Sequence, residues 1–182
     1  MAPALDKYVI TVSGLSIKKQ DTALIVRDLG DKIVHALLKQ QEATILPLIK
    51  AVLDRLLRRD FILSEASTSI SIAEMYSGDN YVQVTLSKLV EAQTGIPVQP
   101  GSRINYVIHG GQEKMYQRGV PLQQADVNKV DVVYLIQNQL EKPIHALLEF
   151  NPNILMQSRQ MIANAIRTAI VNADNINRLI SV

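Results

Sequence analysis

Cysteine is absent from this sequence of 182 residues. Its absence excludes disulfides, thiolate zinc sites, iron–sulfur clusters and cysteine nucleophiles. The three histidines, His35, His109 and His145, are widely separated and lack the His-x-x-x-His or His-x-Glu spacing of a metal site. We therefore expect no metal and no cofactor in this chain.

Long hydrophobic runs are missing too. No apolar stretch approaches the roughly 20 residues that a membrane-spanning helix needs. The start of the chain, Met-Ala-Pro-Ala-Leu-Asp, lacks the basic residues and the apolar core of a secretory signal. We expect an intracellular protein with no membrane partner, and the sequence favours no one compartment among nucleus, cytoplasm and viral factory.

Familiar catalytic motifs are also absent. The sequence has no Gly-x-x-x-x-Gly-Lys-Ser/Thr phosphate loop and no Gly-x-Gly-x-x-Gly. It has no Gly-x-Ser-x-Gly elbow of a serine hydrolase either. Asp126 and Asp131 bracket a loop, but no pattern makes them a metal-binding pair. We expect no independent active site.

The composition that remains is that of a globular protein, with 47% hydrophobic and 20% charged residues. The length suits one domain, alone or with an appendage. The net charge of +2 is mild, but basic residues recur near element ends and loops, where side chains can reach a phosphate backbone. They are Lys18, Lys19, Arg55, Arg58, Arg59, Arg103, Lys114 and Arg118. For any one of them, solvated surface charge is the simpler interpretation.

The first half of the chain predicts a strand at 7–12 and then two helices. One spans about 22–39, with Asp21 as its N-cap and a kink or break expected at Gly30. The other spans about 43–59 and carries a broad apolar stripe, with Pro47 in its first turn. That stripe favours packing on the rest of the domain over binding to a membrane surface. A short strand is expected at 61–63.

The second half predicts a helix over about 81–93, capped by residues 78–80 and ended by Gly95. A strand follows at 103–109, and residues 112–129 are expected to form a loop or a single helical turn. The helix at about 131–149 should bend near 140–142 because of Pro143. Asn151 caps a last helix over about 152–180, whose apolar residues recur at steps of seven, four and three. Such a stripe suits packing against another helix, in this chain or in a partner. The predicted class is α+β and predominantly helical.

Two segments resemble a known family. Residues 100–108, Pro-Gly-Ser-Arg-Ile-Asn-Tyr-Val-Ile, are similar to Gly-Asp-Arg-Val-x-Tyr-Val-Ile of family B DNA polymerases, with Ser102 in place of the acid. Residues 130–144, Val-Asp-Val-Val-Tyr-Leu-Ile-Gln-Asn-Gln-Leu-Glu-Lys-Pro-Ile, are similar to that family's Ile-Asp-x-x-Tyr-Tyr-Ile-x-x-Gln-Leu-x-x-Pro-Ile/Leu.

Earlier segments carry a weaker resemblance to the same family. Residues 14–21 are similar to the end of the palm, with Lys19 in place of the first of two arginines and Gln20 in place of the second. Residues 60–65 resemble Asp-Phe-Val-Leu-Thr-Lys, and residues 76–84 resemble Tyr-x-x-x-x-His-Val, with Tyr81 where histidine is common. The resemblance covers about residues 8–150.

The resemblance implies a thumb, the helical domain that grips duplex DNA and does no chemistry. It divides the chain into an end-of-palm junction at 1–21, a thumb-like DNA-binding domain at 22–150 and a C-terminal helix at 151–182. The expected partners are primer–template DNA and a palm-bearing polymerase subunit or domain. The expected DNA-contact residues are Lys19, Arg103, Tyr106, His109, Lys114 and Arg118. A packed core tyrosine is nearly as good an interpretation of Tyr106, and a solvated turn lysine of Lys19.

One motif of the family is absent from this sequence, and its absence determines which kind of protein we expect. The palm's Tyr-Gly-Asp-Thr-Asp, whose aspartates hold two metal ions, is absent from this sequence. Mg²⁺ is therefore expected in a palm that this chain does not contain, and the chain alone should not polymerise. It would be the small subunit of a split enzyme or an excised domain, with a viral or archaeal source favoured by the lack of cysteine-rich modules. The alternative is a non-catalytic helical protein-interaction module, or a degenerate polymerase remnant.

Overall fold

The computed structural model describes the backbone of residues 21–180 and the side chains of residues 21–174. The predicted strand at 7–12, most of the junction at 1–21 and the candidate Lys19 lie outside the described residues. Within the described part, helices surround one large apolar core, and a small sheet with its own helix forms a second cluster.

Helix α1 spans Leu24–Leu38 and runs unbroken through Gly30, which is buried. The helix therefore has no break at Gly30, and the alternative, a kink, stays a prediction. The N-cap position belongs to Ala23 rather than to Asp21, and no side chain caps it. Instead, the Ala23 N–H donates to Gln139 Oε1 at 3.0 Å, so a distant residue satisfies a backbone donor near the start of α1.

Helix α2 spans Ile45–Leu57 after a 3₁₀ turn at Glu42–Thr44, and Pro47 stands in its first turn as predicted. Its apolar stripe packs into the main core, as expected. The buried members of that stripe are Ile45, Ile49, Leu53 and Leu56. Their main partners across the core are α1 and the C-terminal helix.

Phe61 is buried in the main core and does not begin a strand. The chain instead forms the short helix α3 at Leu63–Ala66, where Glu65 accepts a hydrogen bond from the Ile62 N–H at 3.0 Å. The strand predicted at 61–63 is wrong, and the first described strand, β1, lies later at Thr68–Ser71. It pairs antiparallel with β2 at Arg103–Ile108, which pairs antiparallel with β3 at Gly119–Pro121. The sheet order is β1-β2-β3.

Helix α4 spans Val82–Thr94 and covers one face of this sheet. Tyr81, in an extended conformation, occupies its N-cap position without a side-chain bond, so the cap predicted at 78–80 is wrong. Gly95 ends the helix in the left-handed region, with φ of 71°, which glycine adopts without steric cost. The second apolar cluster lies between α4 and the sheet. It contains Ile72, Val82, Leu86, Ile104, Tyr106 and Ile108.

The segment expected to be loop or a single turn contains more structure than predicted. It holds β3 and three 3₁₀ turns, at Met115–Gln117, Leu122–Gln124 and Val127–Lys129. Helix α5 at Val132–Tyr134 then passes into a π-helix at Leu135–Leu140, followed by α6 at Glu141–Leu147. The single helix predicted over about 131–149 is thus divided by a π-helical stretch ahead of Pro143, and the bend predicted near 140–142 stays a prediction.

Helix α7 spans Pro152–Ile180. The Asn151 side chain accepts a bond from the Ile154 N–H at 3.2 Å, so the predicted cap and the proline at the first helical position are confirmed. Its buried residues, Ile154, Ser158, Ile162, Ala165 and Ala169, face α2 and the α5–α6 region. Ile162 and Ala169 of the stripe predicted from spacing thus pack against helices of the same chain, and Leu155 and Ile166 are partly buried against the same core. Two further members, Ile176 and Ile180, lie beyond the residues whose side chains are described. No helix among residues 21–180 is long and apolar enough to cross a membrane.

Candidate nucleic-acid interface

One face of the sheet is covered by α4, and the other face carries polar side chains on β1 and on the first residues of β2, before Val107 on that face packs into the main core. Alternation along each strand puts Ser69, Ser71, Arg103 and Asn105 together, because Ser71 pairs with Arg103 and Ser69 with Asn105 in the β1–β2 register. We call these four residues the polar sheet face. Ser71, Arg103 and Asn105 are exposed, and Ser69 is half-buried. None of the four is acidic.

Arg103 is held against β1 by three hydrogen bonds. Its Nε donates to Ser69 Oγ at 3.1 Å, its Nη1 to Ser71 Oγ at 2.9 Å, and its Nη2 to the Ser69 carbonyl at 3.2 Å. A guanidinium has about five N–H donors, so two of them remain available at an exposed position. Those donors can reach a ligand from a side chain that is already oriented.

The bonding partners of Arg103 are all neutral oxygens, which sets it apart from two other arginines. Arg55 pairs with Glu65 at 3.0 Å, and Arg118 pairs with Asp131 at 2.6 Å. Within the described residues, Arg103 has no carboxylate partner. Its positive charge is therefore available to an anion from outside the chain.

Tyr106 lies in the second apolar cluster and is only 7% exposed. Burial raises the pKa of its phenol, and a hydrogen bond with the Thr68 side chain acts in the opposite direction. The structure therefore favours the alternative interpretation of Tyr106, a packed core tyrosine whose hydroxyl is hydrogen-bonded. Its phenol does not reach the surface where a phosphate would bind.

Arg118 and His109 belong to the internal bonding of the loop after β2. Arg118 Nη1 donates to the His109 carbonyl at 3.1 Å as well as to Asp131, and both charged side chains are largely buried. The Asp126 N–H donates to His109 Nε2 at 3.3 Å. Burial is the main cause that lowers the pKa of His109, followed by the charge of Lys129. Both candidates thus act within the fold of this loop.

Comparisons with known proteins agree with the resemblance seen in residues 100–108 and 130–144. No protein family model matches the chain. A DNA polymerase of Thermococcus aggregans is 26% identical over 145 residues, which cover 77% of this chain and 8% of that polymerase. A DNA polymerase of Desulfurococcus sp. (strain Tok) is 25% identical over 147 residues, which cover 76% of this chain and 18% of that polymerase.

A solved structure supports the same relation at the level of fold. The family B DNA polymerase from the hyperthermophilic archaeon Pyrobaculum calidifontis matches with a TM-score of 0.58 and 23% sequence identity, over 72% of this chain and 18% of that polymerase. The chain is similar to archaeal DNA polymerases in sequence and to a family B DNA polymerase in fold. Its match spans less than a fifth of the length of each of these relatives.

The predicted contact residues do not form one cluster. Arg103 opens β2 on the polar sheet face, whereas Lys114 is exposed in the loop after that strand. The Lys114 backbone N–H donates to Gln117 Oε1 at 3.3 Å, and the residue as a whole is exposed. Arg59, another basic residue noted in the sequence, donates to the carbonyls of Val127 and Val130 at 3.3 and 2.9 Å.

The sequence alone did not reveal the hydrogen-bond partners of Arg103. Ser69, Ser71 and Asn105 lie on the same face of the sheet, but β1 was not predicted, so its serines were not considered. A signal for the strand was present in the alternation Ser69-Ile70-Ser71-Ile72, which is typical of a half-buried strand with its serines on one face.

Proposed function

We propose that this chain is the thumb-like portion of a family B DNA polymerase and that it grips primer–template duplex during DNA replication. The relation to the family supports this proposal, and so does the match of residues 100–108, which form the turn and the strand that present Arg103. The division into a junction at 1–21, a thumb-like domain at 22–150 and a C-terminal helix at 151–182 is part of the same proposal.

The observation that carries the proposal is the polar sheet face. It presents an exposed guanidinium without a carboxylate partner, flanked by hydroxyl and amide side chains. Arginine, serine and asparagine are residue types that commonly bind phosphate oxygens. An acid-free face of this composition suits a polyanion better than it suits a cationic or apolar ligand.

Such a face would contribute to the affinity for DNA without distinguishing one base sequence from another. Arg103 would neutralise a phosphate and release its counterions, so binding should weaken steeply as salt rises and should not depend on the bases. We expect a dissociation constant of about 10⁻⁶ M or weaker, as is usual for non-specific phosphate contacts. The role is to hold the duplex in register for catalysis carried out elsewhere.

The chemistry of nucleotide addition requires carboxylates that hold metal ions, and Tyr-Gly-Asp-Thr-Asp is not in this sequence. Mg²⁺ would be held by a palm-bearing subunit or domain, which is the second partner in this proposal. Whether that palm is a separate chain or another part of one longer chain leaves the role of the polar sheet face unchanged.

The alternative, a helical protein-interaction module, relied on the apolar stripe of the C-terminal helix. Between residues 155 and 169, Ile162 and Ala169 of that stripe are buried, and Leu155 and Ile166 partly buried, against helices of the same chain. It is therefore not a free surface for a partner over that length, which favours the thumb proposal over the interaction module.

The test compares two arginine variants that change the net charge equally. Arg103→Ala should weaken duplex binding equally for unrelated sequences and lower the salt slope by about 0.9. Arg167→Ala, in an exposed position of α7, should leave both unchanged. Electrophoretic mobility shift with primer–template duplex at several salt concentrations measures this. Equal binding by wild type and Arg103→Ala, with the fold intact by circular dichroism, would contradict the role of Arg103.

A further inference from the structure

We propose that Ser69, Ser71 and Arg103 form a single phosphate subsite, in which the two serine hydroxyls both hold the guanidinium and donate to the bound phosphate. This inference rests on the proposed function and adds to it the residues and the chemistry of one contact. Its ligand is a phosphodiester group of the DNA backbone.

The direction of the hydrogen bonds supports this subsite. Arginine has no acceptor, so in the bonds at 3.1 and 2.9 Å the serine oxygens of Ser69 and Ser71 must be the acceptors. Each hydroxyl still carries its own hydrogen, and it cannot donate that hydrogen to Arg103. Within the described residues neither hydroxyl has an acceptor of its own, so both are available to an incoming ligand.

The donor count on this patch matches a phosphate. Two guanidinium N–H groups and two hydroxyl O–H groups give four unused donors, and no carboxylate is bonded to them. A phosphodiester offers a negative charge and oxygen acceptors only. Arginine and serine are among the residue types that commonly bind the phosphate oxygens of a nucleic-acid backbone. The subsite should therefore contact the backbone of any sequence.

The serines should also lower the entropic cost of binding. A free arginine side chain loses much rotational freedom when it binds a ligand. Here Nε and Nη2 are both bonded to Ser69, and Nη1 is bonded to Ser71, before any ligand arrives. Much of the ordering is thus completed in the folded protein. Arg103 is the residue that carries the charge, and the serines position it and add neutral donors.

This arrangement predicts different salt behaviour for the two residue types. Removing Arg103 removes one ionic contact and should lower the slope of log affinity against log salt by about 0.9. Removing the hydroxyls should weaken binding without changing the slope, because serine carries no charge. The effects should also be non-additive, because the serines act partly through Arg103.

A double-mutant cycle tests the subsite. Fluorescence anisotropy with a labelled primer–template duplex is recorded across salt concentrations for wild type, Ser69→Ala with Ser71→Ala, Arg103→Ala, and the triple variant. We expect the serine variant to bind about three- to tenfold more weakly, the loss typical of one hydrogen bond, with the wild-type slope. The triple variant should bind more weakly than Arg103→Ala, but by a smaller factor than the serine changes cause when Arg103 is present, because the two sets of residues are coupled.

Two further variants separate the subsite from a folding effect. Ser69→Thr with Ser71→Thr keeps both hydroxyls and suits a strand, so it should bind close to wild type. Ser71→Ala alone, at an exposed position, should show part of the loss if the double alanine variant does not fold.

The outcomes distinguish this inference from the proposal on which it rests. Serine variants that bind like wild type while Arg103→Ala binds weakly would overturn the subsite and leave the thumb proposal standing. Additive losses, or threonine variants as weak as the alanine variants, would overturn it as well. A folded wild-type chain that binds no duplex at low salt would overturn both.

Discussion

Arginines of similar appearance in the sequence have different roles in the fold, and their neighbours decide which. Arg118 is paired with Asp131 below the surface, whereas Arg103 stands exposed among serines. Arg103 was a candidate because it lies in the predicted strand at 103–109, and Arg118 because it lies in the loop that follows. It could not show that Asp131 pairs with Arg118, since that ion pair depends on the path of the loop at 109–131. The positive charge of both residues made them candidates. Their tertiary contacts show that Arg118 is paired with a carboxylate and that Arg103 is exposed among serines.

At Tyr106 the structure favours a role in stability over a role in binding. Tyr106→Phe removes the buried hydroxyl and leaves Thr68, also buried, without that bond. We expect a loss of about 0.5–1.5 kcal/mol of unfolding free energy, as for a typical intramolecular hydrogen bond. Duplex affinity should not change. Urea unfolding and anisotropy measure the two effects, and a variant of unchanged stability that binds DNA more weakly would return Tyr106 to the interface.

The histidines predict how stability depends on pH. Burial is the main cause that lowers the pKa of both His109 and His145. As pH falls below the ordinary histidine pKa of about 6.5, the unfolded chain takes up protons before the folded chain does. Folding stability should therefore be fully present above that pH and decrease as pH falls towards about 5.

Glutamine substitutions test this pH dependence. Gln at position 109 retains an acceptor for the Asp126 N–H, so His109→Gln with His145→Gln should lose less stability between pH 7 and pH 5 than wild type. Urea unfolding midpoints at several pH values provide the comparison. The same decrease in wild type and in the double variant would show that other groups cause it.

At the scale of elements, periodicity predicted the long helices and failed where tertiary contacts set the local structure. The apolar stripes of α2 and α7 are strong, and both helices formed as predicted. The N-cap of α1 was misplaced because its N–H partner is Gln139, which is remote in sequence. Strand β3 has only three residues and exists because it pairs with β2, so its own sequence carries little signal.

The approach of β3 to α4 predicts a packing requirement at Gly119. A Cβ atom built at Gly119 would overlap Val82 Cγ2, and it would lie 3.6 Å from Leu86 Cδ2. Val82 is β-branched and has little rotamer freedom in a helix, so Gly119→Ala should cost about 1–3 kcal/mol through overpacking. Gly78→Ala is the matched control, because a Cβ there meets nothing within 4 Å. Equal unfolding free energies for the two variants would contradict this packing.

At the scale of the whole molecule, the chain combines a helical body with a sheet that leaves one polar face open. The main core joins α1, α2, the α5–α6 region and α7, and α4 covers the other face of the sheet. The open face is the surface to which we assign DNA. The family resemblance predicted this kind of molecule from residues 100–108 and 130–144. It did not predict the serines that hold Arg103, because they lie in a strand outside those segments.

We also predict that the chain has no polymerase activity of its own. Purified protein should add no nucleotide to a primer with Mg²⁺ or Mn²⁺, because the sequence lacks the aspartates that hold the catalytic metals. A primer-extension assay with a known polymerase as the positive control measures this. Extension that copurifies with this chain through several columns would contradict the account.

We propose above all that this chain binds the sugar–phosphate backbone of duplex DNA. Titration of the wild-type chain with labelled primer–template duplexes of two unrelated sequences, at a series of salt concentrations, tests it most directly. The account predicts equal affinities for the two sequences and a straight, negative dependence of log affinity on log salt. A folded chain that binds neither duplex at low salt, or binds with no dependence on salt, would contradict it.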